Sequence, residues 1–282
     1  MIGAGEPFPT LSAAWAYAQQ ARVADGAYLH FYISSTNGNY AGASSVPFLL
    51  DQVSGSRIAI IGDNPLDDSI IFINCNGFIV DTGHSINTIS GLTISYSTTT
   101  NANTVGIKAD FNSSISAISN LKIVDFNAGI QATQTASITV DSTTSISGWT
   151  AYACEAQNGG SIVAPDGIAL VGIVASPTIV GLYADHGAQI YAPGSNIRDC
   201  GVAAEAYDNA TVDVSDSTIG ENETGCEAAE RGFINCSGAT FNDNVNGNGD
   251  LYATKGGYIQ ASGASFTSST QGGSVDGSYI TQ

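Results

Sequence analysis

Basic residues are nearly missing from this sequence. Seven Lys and Arg stand against 25 Asp and Glu, a formal net charge of −18. A surface so acidic repels phosphate backbones and anionic membranes, and no nucleic-acid partner is expected. Charge of either sign is scarce, at 11% of residues against about 25% in an average soluble protein. That excludes a charge-laced helical bundle. No apolar run reaches the ~18 residues that span a bilayer, so no membrane insertion is expected. The start, Met1-Ile2-Gly3-Ala4-Gly5-Glu6, lacks the basic and apolar regions of a signal peptide. Cys75, Cys154, Cys200, Cys226 and Cys236 are odd in number and form no CxxC pair, which argues against a disulfide framework or a zinc site. They read as small apolar core residues of a chain that folds in a reducing cytoplasm. Were it found outside a cell, release by lysis or by a dedicated machine is expected. His30, His84 and His186 share no metal-ligand spacing, and neither a metal nor another cofactor is expected.

What the chain does have is repetition. Seven segments begin at Lys108, Gln131, Glu155, Tyr183, Glu205, Glu227 and Tyr252. Their second residue is always Ala: Ala109, Ala132, Ala156, Ala184, Ala206, Ala228 and Ala253. The sixth is small: Ser113, Ala136, Gly160, Ala188, Ala210, Gly232 and Gly257. The eighth is β-branched: Ile115, Ile138, Ile162, Ile190, Val212, Ile234 and Ile259. Ala117, Val140, Ala164, Ala192, Val214, Cys236 and Ala261 fill the tenth. A further apolar point follows, at Ile197, Ile219, Phe241 and Phe266, and one residue later at Ile123 and Ile146.

Successive copies start 23, 24, 28, 22, 22 and 25 residues apart. That is too short for a helical-pair repeat of about 33 residues and fits one coil of three short strands. Alternation at the eighth and tenth positions is that of a strand. Stacked coils lie about 4.8 Å apart, so equivalent side chains form ladders, and no coil buries its apolar face alone. A leucine-rich repeat would need L-x-x-L-x-L, which is absent. The pattern predicts an all-β fold, a right-handed single-stranded parallel β-helix over residues 34–282.

Residues 1–33 read as a cap and first strand. Pro7 and Pro9 lead to Thr10 as N-cap, a helix over Leu11 to Ala24 buries Leu11, Ala14, Trp15, Ala18 and Ala21, and Gly26 stops it. Leu29, Phe31 and Ile33 then alternate. A polar loop spans Ser34 to Ser45. Buried strands follow at Phe48–Leu50, Ile58–Ile61, Ile70–Ile73 and Phe78–Val80, with Gly62-Asp63-Asn64-Pro65 as a turn. Ile89 to Ile94 has the look of the third strand of later coils. The closing stretch, Gln271 to Gln282, shows no cap, so further chain is expected beyond it.

Phe8-Pro9-Thr10-Leu11-Ser12-Ala13-Ala14-Trp15, Ala24-Asp25-Gly26-Ala27-Tyr28-Leu29 and the coils from Gly106 onward resemble the pectin-lyase-like superfamily. Within it the likeness is to bacteriophage tailspike and tail-fibre proteins. The coil pattern covers most of the chain but is shared by adhesins and polysaccharide lyases. The resemblance implies a homotrimer in the virion, assembled in the host cytoplasm, that joins other tail or baseplate proteins. It also implies receptor binding to host cell-surface polysaccharide and, in some members, depolymerase activity. Alternatives are an extracellular or cell-surface adhesin, or a structural spacer.

Stacking allows the exposed columns to be read for chemistry. The fourth position runs Phe111, Gln134, Asn158, His186, Asp208, Glu230, Lys255, and the first brings Glu205 beside Glu227. Carboxylates about 5 Å apart suit a retaining glycosidase, and mutual repulsion raises one pKa, as a general acid requires. The catalytic candidates are therefore Asp208, Glu230, Glu205 and Glu227. Against this, outward positions of a solenoid are polar anyway. Tyr183, Asp185, His186, Tyr207, Arg231 and Tyr252 are candidates for glycan contact, and Tyr191 and Tyr258 offer further rings. The same aromatics suit packing between subunits. Lyase chemistry needs a basic residue beside a Ca²⁺ site, and Lys108, Lys122, Arg198, Arg231 and Lys255 are scattered. Asn242-Asp243-Asn244 and Asn246-Gly247-Asn248-Gly249-Asp250 read as turns rather than Ca²⁺ loops. No GxSxG marks a serine nucleophile. Coils this short leave a groove only along a face or between subunits.

Overall fold

In the computed structural model the described residues are 7–19, 23–25, 27–33, 41–44, 47–51, 55–66, 68–97, 103–173, 178–244, 249–267, 273 and 277–281. They form a parallel β-helix of three sheets with eleven, ten and nine strands, in which each strand pairs in parallel with its equivalents in the coils before and after. The expected columns are the observed register. Ala109, Ala132, Ala156, Ala184, Ala206, Ala228 and Ala253 are paired in series in the nine-stranded sheet, and all are fully buried. Ile138, Ile162, Ile190, Val212, Ile234 and Ile259 do the same in the eleven-stranded sheet. Ile123, Ile146, Leu170, Ile197, Ile219, Phe241 and Phe266 line up in the ten-stranded sheet.

Thr10 caps the helix Leu11–Ala18 by accepting the Ala13 N–H at 3.2 Å. Trp15 sets its ring 5.8 Å from Phe31 in the strand Leu29–Ile33, which is the edge of the eleven-stranded sheet. The helix thus closes the first coil. It ends at Ala18, earlier than its apolar pattern indicates, with the Gln19 N–H still on the Trp15 carbonyl. Ala21 and Gly26 lie outside the described residues, as do Ser34 to Tyr40, Asn246 to Asn248 and parts of the closing stretch.

Three other local readings are corrected. The polar span read as a loop contains the strand Ala41–Ser44, paired with Ser69 to Phe72. Ile89 and Ile94 belong to different strands, Ser85–Ser90 and Thr93–Ser97, with the corner at Gly91. There a Cβ would lie 2.0 Å from the Gly62 carbonyl oxygen, and φ is +71°, so only glycine fits. In the strand Ser114–Ser119 the buried partner of Val140 is Ile118 rather than Ala117, because a bulge adds one residue.

The interior also holds a polar stack. Asn222 accepts the Cys200 N–H at 3.1 Å and donates to the Ile197 carbonyl at 3.3 Å, while Asn244 accepts from Asn222 and donates to the Ile219 carbonyl at 3.2 Å. Both are fully buried, so they satisfy corner backbone groups that water does not reach. Asn244 was read from sequence as part of an outer turn. The five thiols are all free, and burial pushes Cys154 up to about 12.

A ladder with no spare volume rejects larger side chains. Ala206→Leu is expected to lower stability by about 1–3 kcal/mol, measured as a shift in the denaturant midpoint. An unchanged midpoint would show that the column has slack.

Candidate functional site

The outer face of the nine-stranded sheet gathers most of the candidates. Its strands do not alternate strictly. In Tyr152–Gln157 both Ala153 and Cys154 are buried, so Tyr152 and Glu155 project outward on the same side although only these two residues separate them. The cause is steric. The residue at the Ala153 position is Gly106, Gly129, Gly181, Ala203 or Gly225 in other coils. A Cβ at Gly129 would lie 2.5 Å from Ile146 Cγ2, and one at Gly225 2.8 Å from Phe241 Cε1. The coils from Gly106 to Gly225 keep only glycine or alanine there, the following coil buries Asp250 with its carboxylate accepting from Asn244, and the strand beyond the position flips its phase.

That flip creates a diagonal of tyrosines. Tyr152 stacks on Tyr183 of the next coil at 4.7 Å between ring centroids, and Tyr183 lies 6.3 Å from Tyr207 in the coil after. The three rings therefore step across the face as well as along it. Burial, with carboxylates around them, holds all three phenols above their usual range. The Tyr183 hydroxyl donates to Asp185 at 3.2 Å, and the Tyr207 hydroxyl donates to Glu227 at 3.0 Å.

A cleft of about 510 Å³ opens beside the first ring, lined by Asn76, Asn103, Lys108, Asn127, Gln131, Tyr152 and Glu155 among others. Glu155 is only 6% exposed. It accepts from the amides of Gln131 at 2.5 Å and Gln157 at 2.7 Å, and burial raises its pKa. Lys108 pairs with Asp110 at 2.8 Å.

Glu205 and Glu227 are register partners on adjacent strands, with Tyr252 next in the same column. Burial pushes the Glu205 carboxyl up to about 7, with repulsion from Glu227 adding to it and the Tyr207 hydrogen bond opposing it. A proton near neutral pH is thus held at a pair of carboxyls bridged by one phenol.

The fourth-position residues lie apart from this face, in the turns after its strands. Phe111, Gln134, Asn158, His186, Asp208, Glu230 and Lys255 all have φ between +40° and +52°. Lys255 pairs with Glu230 at 2.8 Å. His186 turns Nδ1 to Asp185 at 2.7 Å and Nε2 to Asp208 at 3.6 Å. Asp208 and Glu230 therefore each face a basic partner instead of forming a free acid pair. Ligand atoms of Asp185, His186 and Asp208 come within 4.8 Å of one another, a juxtaposition that histidine spacing alone did not show. Arg231 is exposed beside Glu230 with φ +68°. Tyr191 and Tyr258 sit in the eleven-stranded sheet, away from the diagonal, and Tyr258 stacks on Phe233 at 5.4 Å.

Sequence reasoning missed Tyr152, Lys108 and Gln131 as site residues. The last two open repeat copies and were visible as column members. Tyr152 was not, because strict alternation points it inward.

The raised Glu205 pKa fixes a pH dependence. Its unfolded value lies near 4.5 and its folded value near 7, so its stabilising contribution is complete below 4.5 and lost as pH rises to 7. Glu205→Gln is expected to flatten stability over that window and to exceed the wild type at pH 8 by about 1–2 kcal/mol once solvent screening is allowed for. Denaturant midpoints at pH 5 and pH 8 decide this, and a variant no more stable at pH 8 rejects it. Comparisons with protein-family models, curated proteins and solved structures return no match.

Proposed function

We propose that this chain is a virion protein of the phage tailspike or tail-fibre type, which holds host surface polysaccharide on the face of its nine-stranded sheet. The supporting observation is the Tyr152–Tyr183–Tyr207 diagonal, three part-buried rings stepping across a long face set with hydrogen-bonding carboxylates. Aromatic faces pack against sugar C–H surfaces while Asn, Gln, Glu and Tyr groups bond hydroxyls. A solenoid presents such groups at a fixed step of about 4.8 Å, which suits an extended repeating ligand. On this reading the protein is a homotrimer anchored to other tail or baseplate proteins.

A glycan array followed by titration with the bound polysaccharide tests the proposal. Tyr183→Ala is expected to weaken binding tenfold or more, and undiminished affinity would reject this face. Sedimentation at several concentrations checks the trimer, and a monomer throughout would count against the phage-spike reading.

A second reading, glycoside hydrolysis, is favoured by one arrangement: Glu205, whose carboxyl burial pushes up to about 7, is the register partner of Glu227. Neighbouring strands lie about 4.8 Å apart, close to the 5–5.5 Å carboxyl separation of retaining enzymes. Here Glu205 would protonate the leaving oxygen and Glu227 would attack the anomeric carbon. New reducing ends in digested host polysaccharide, abolished by Glu227→Gln and kept by Glu230→Gln, are the expected result. No reducing ends with any glycan that binds would leave the face a binding surface alone.

A further inference from the structure

The nine-stranded face has an excess of carboxylates that its own cations do not meet. Asp110, Glu155, Asp185, Glu205 and Glu227 lie on it or at its margin, against Lys108. Lys108 is taken up by Asp110, Glu155 by two side-chain amides, and Asp185 by Tyr183 and His186. That leaves Glu205 and Glu227. Among the described residues no cationic side chain is in ion-pair contact with either. Their one described hydrogen-bonding partner, Tyr207, is itself an end of the aromatic diagonal.

We infer that the face selects saccharides bearing free amino groups, with an ammonium seated between Glu205, Glu227 and the Tyr207 ring while neighbouring sugar units lie along Tyr183 and Tyr152. This rests on the glycan-binding reading and names its ligand class. An ammonium beside two carboxylates relieves their mutual repulsion, which no neutral hydroxyl does, and a phenol face adds cation–π attraction. The net charge of −18 draws cations and repels uronic-acid polymers. A basic peptide is the poorer fit. The site lies on a sheet face, away from any strand edge, and so offers an extended peptide no main-chain pairing.

The test uses the full chain and three oligosaccharides of equal length, built of glucosamine, N-acetylglucosamine or galacturonic acid, with pentalysine as a charge control. Titrations at pH 6.5 in low and 0.5 M salt are expected to show the glucosamine oligomer binding at least tenfold tighter than its N-acetylated form. That advantage is expected to shrink in high salt and to vanish in the Glu205→Gln/Glu227→Gln double variant. Relief of carboxylate repulsion means the variant should fold at least as well as the wild type, and its residual affinity for the N-acetylated oligomer verifies this. Equal binding of both forms, or tighter binding of the galacturonic oligomer, overturns the inference and leaves the glycan-binding reading standing. Pentalysine binding as tightly as the glucosamine oligomer overturns it too. Failure of every oligosaccharide and of host polysaccharide removes the underlying reading as well.

Discussion

Each coil must match the coil above and below it residue for residue at about 4.8 Å, and nearly every other property of this protein follows from that register. A coil has no core of its own. Its inward side chains are buried only because the next coil presents equivalent ones, as Ala184, Ala206 and Ala228 do in adjacent strands. The Ala and Ile columns of the interior accept small or β-branched residues, and positions such as Gly129 and Gly225 have no room even for a methyl group. Larger rings are confined to places with space, such as the Phe48, Phe72 and Phe78 cluster near the helical cap.

The same register governs charge. Side chains that stack in columns meet their likes unless the sequence varies them, and like charges directly opposite are destabilising. In the turn column the adjacent carboxylates Asp208 and Glu230 are flanked by basic residues, His186 on one side and Lys255 on the other. In the sheet column Glu205 meets Glu227 with a tyrosine hydroxyl between them, and burial, with that repulsion added, leaves the Glu205 pKa raised. Seven basic residues in 282 are too few to neutralise every column. The imbalance coincides with part-buried aromatic rings on the nine-stranded face, at Tyr207 and its neighbours.

How far the sequence could be read follows from the same geometry. The Ala and Ile columns were legible because stacking makes equivalent positions alike, and repetition across seven copies outweighs noise in any one. What was illegible lies where the backbone departs from a two-residue period. Ile118 displaces Ala117 through a bulge, and Tyr152 faces outward because two consecutive residues before Glu155 turn in. The strand Ala41–Ser44 carries no bulky apolar residue, and its strand character comes from pairing with Ser69 to Phe72. Asn222 and Asn244 look like surface turn residues, yet they are interior because the corners need buried donors and acceptors.

Repetition also separates architecture from individual function. Positive φ in a non-glycine residue is uncommon and often marks a strained functional position, so His186, Asp208, Glu230 and Lys255 would each attract notice alone. Phe111, Gln134 and Asn158 adopt the same conformation one coil after another. A feature shared by aromatic, amide, acidic and basic side chains alike is a property of the turn and carries no information about chemistry. The Glu205–Tyr207–Glu227 arrangement has no counterpart in the coils before it, where Lys108, Gln131, Glu155 and Tyr183 occupy the column. Stacking does not require it, and its buried carboxyl is held against electrostatic cost. That combination places the weight of a functional argument on the sheet face instead of the turns.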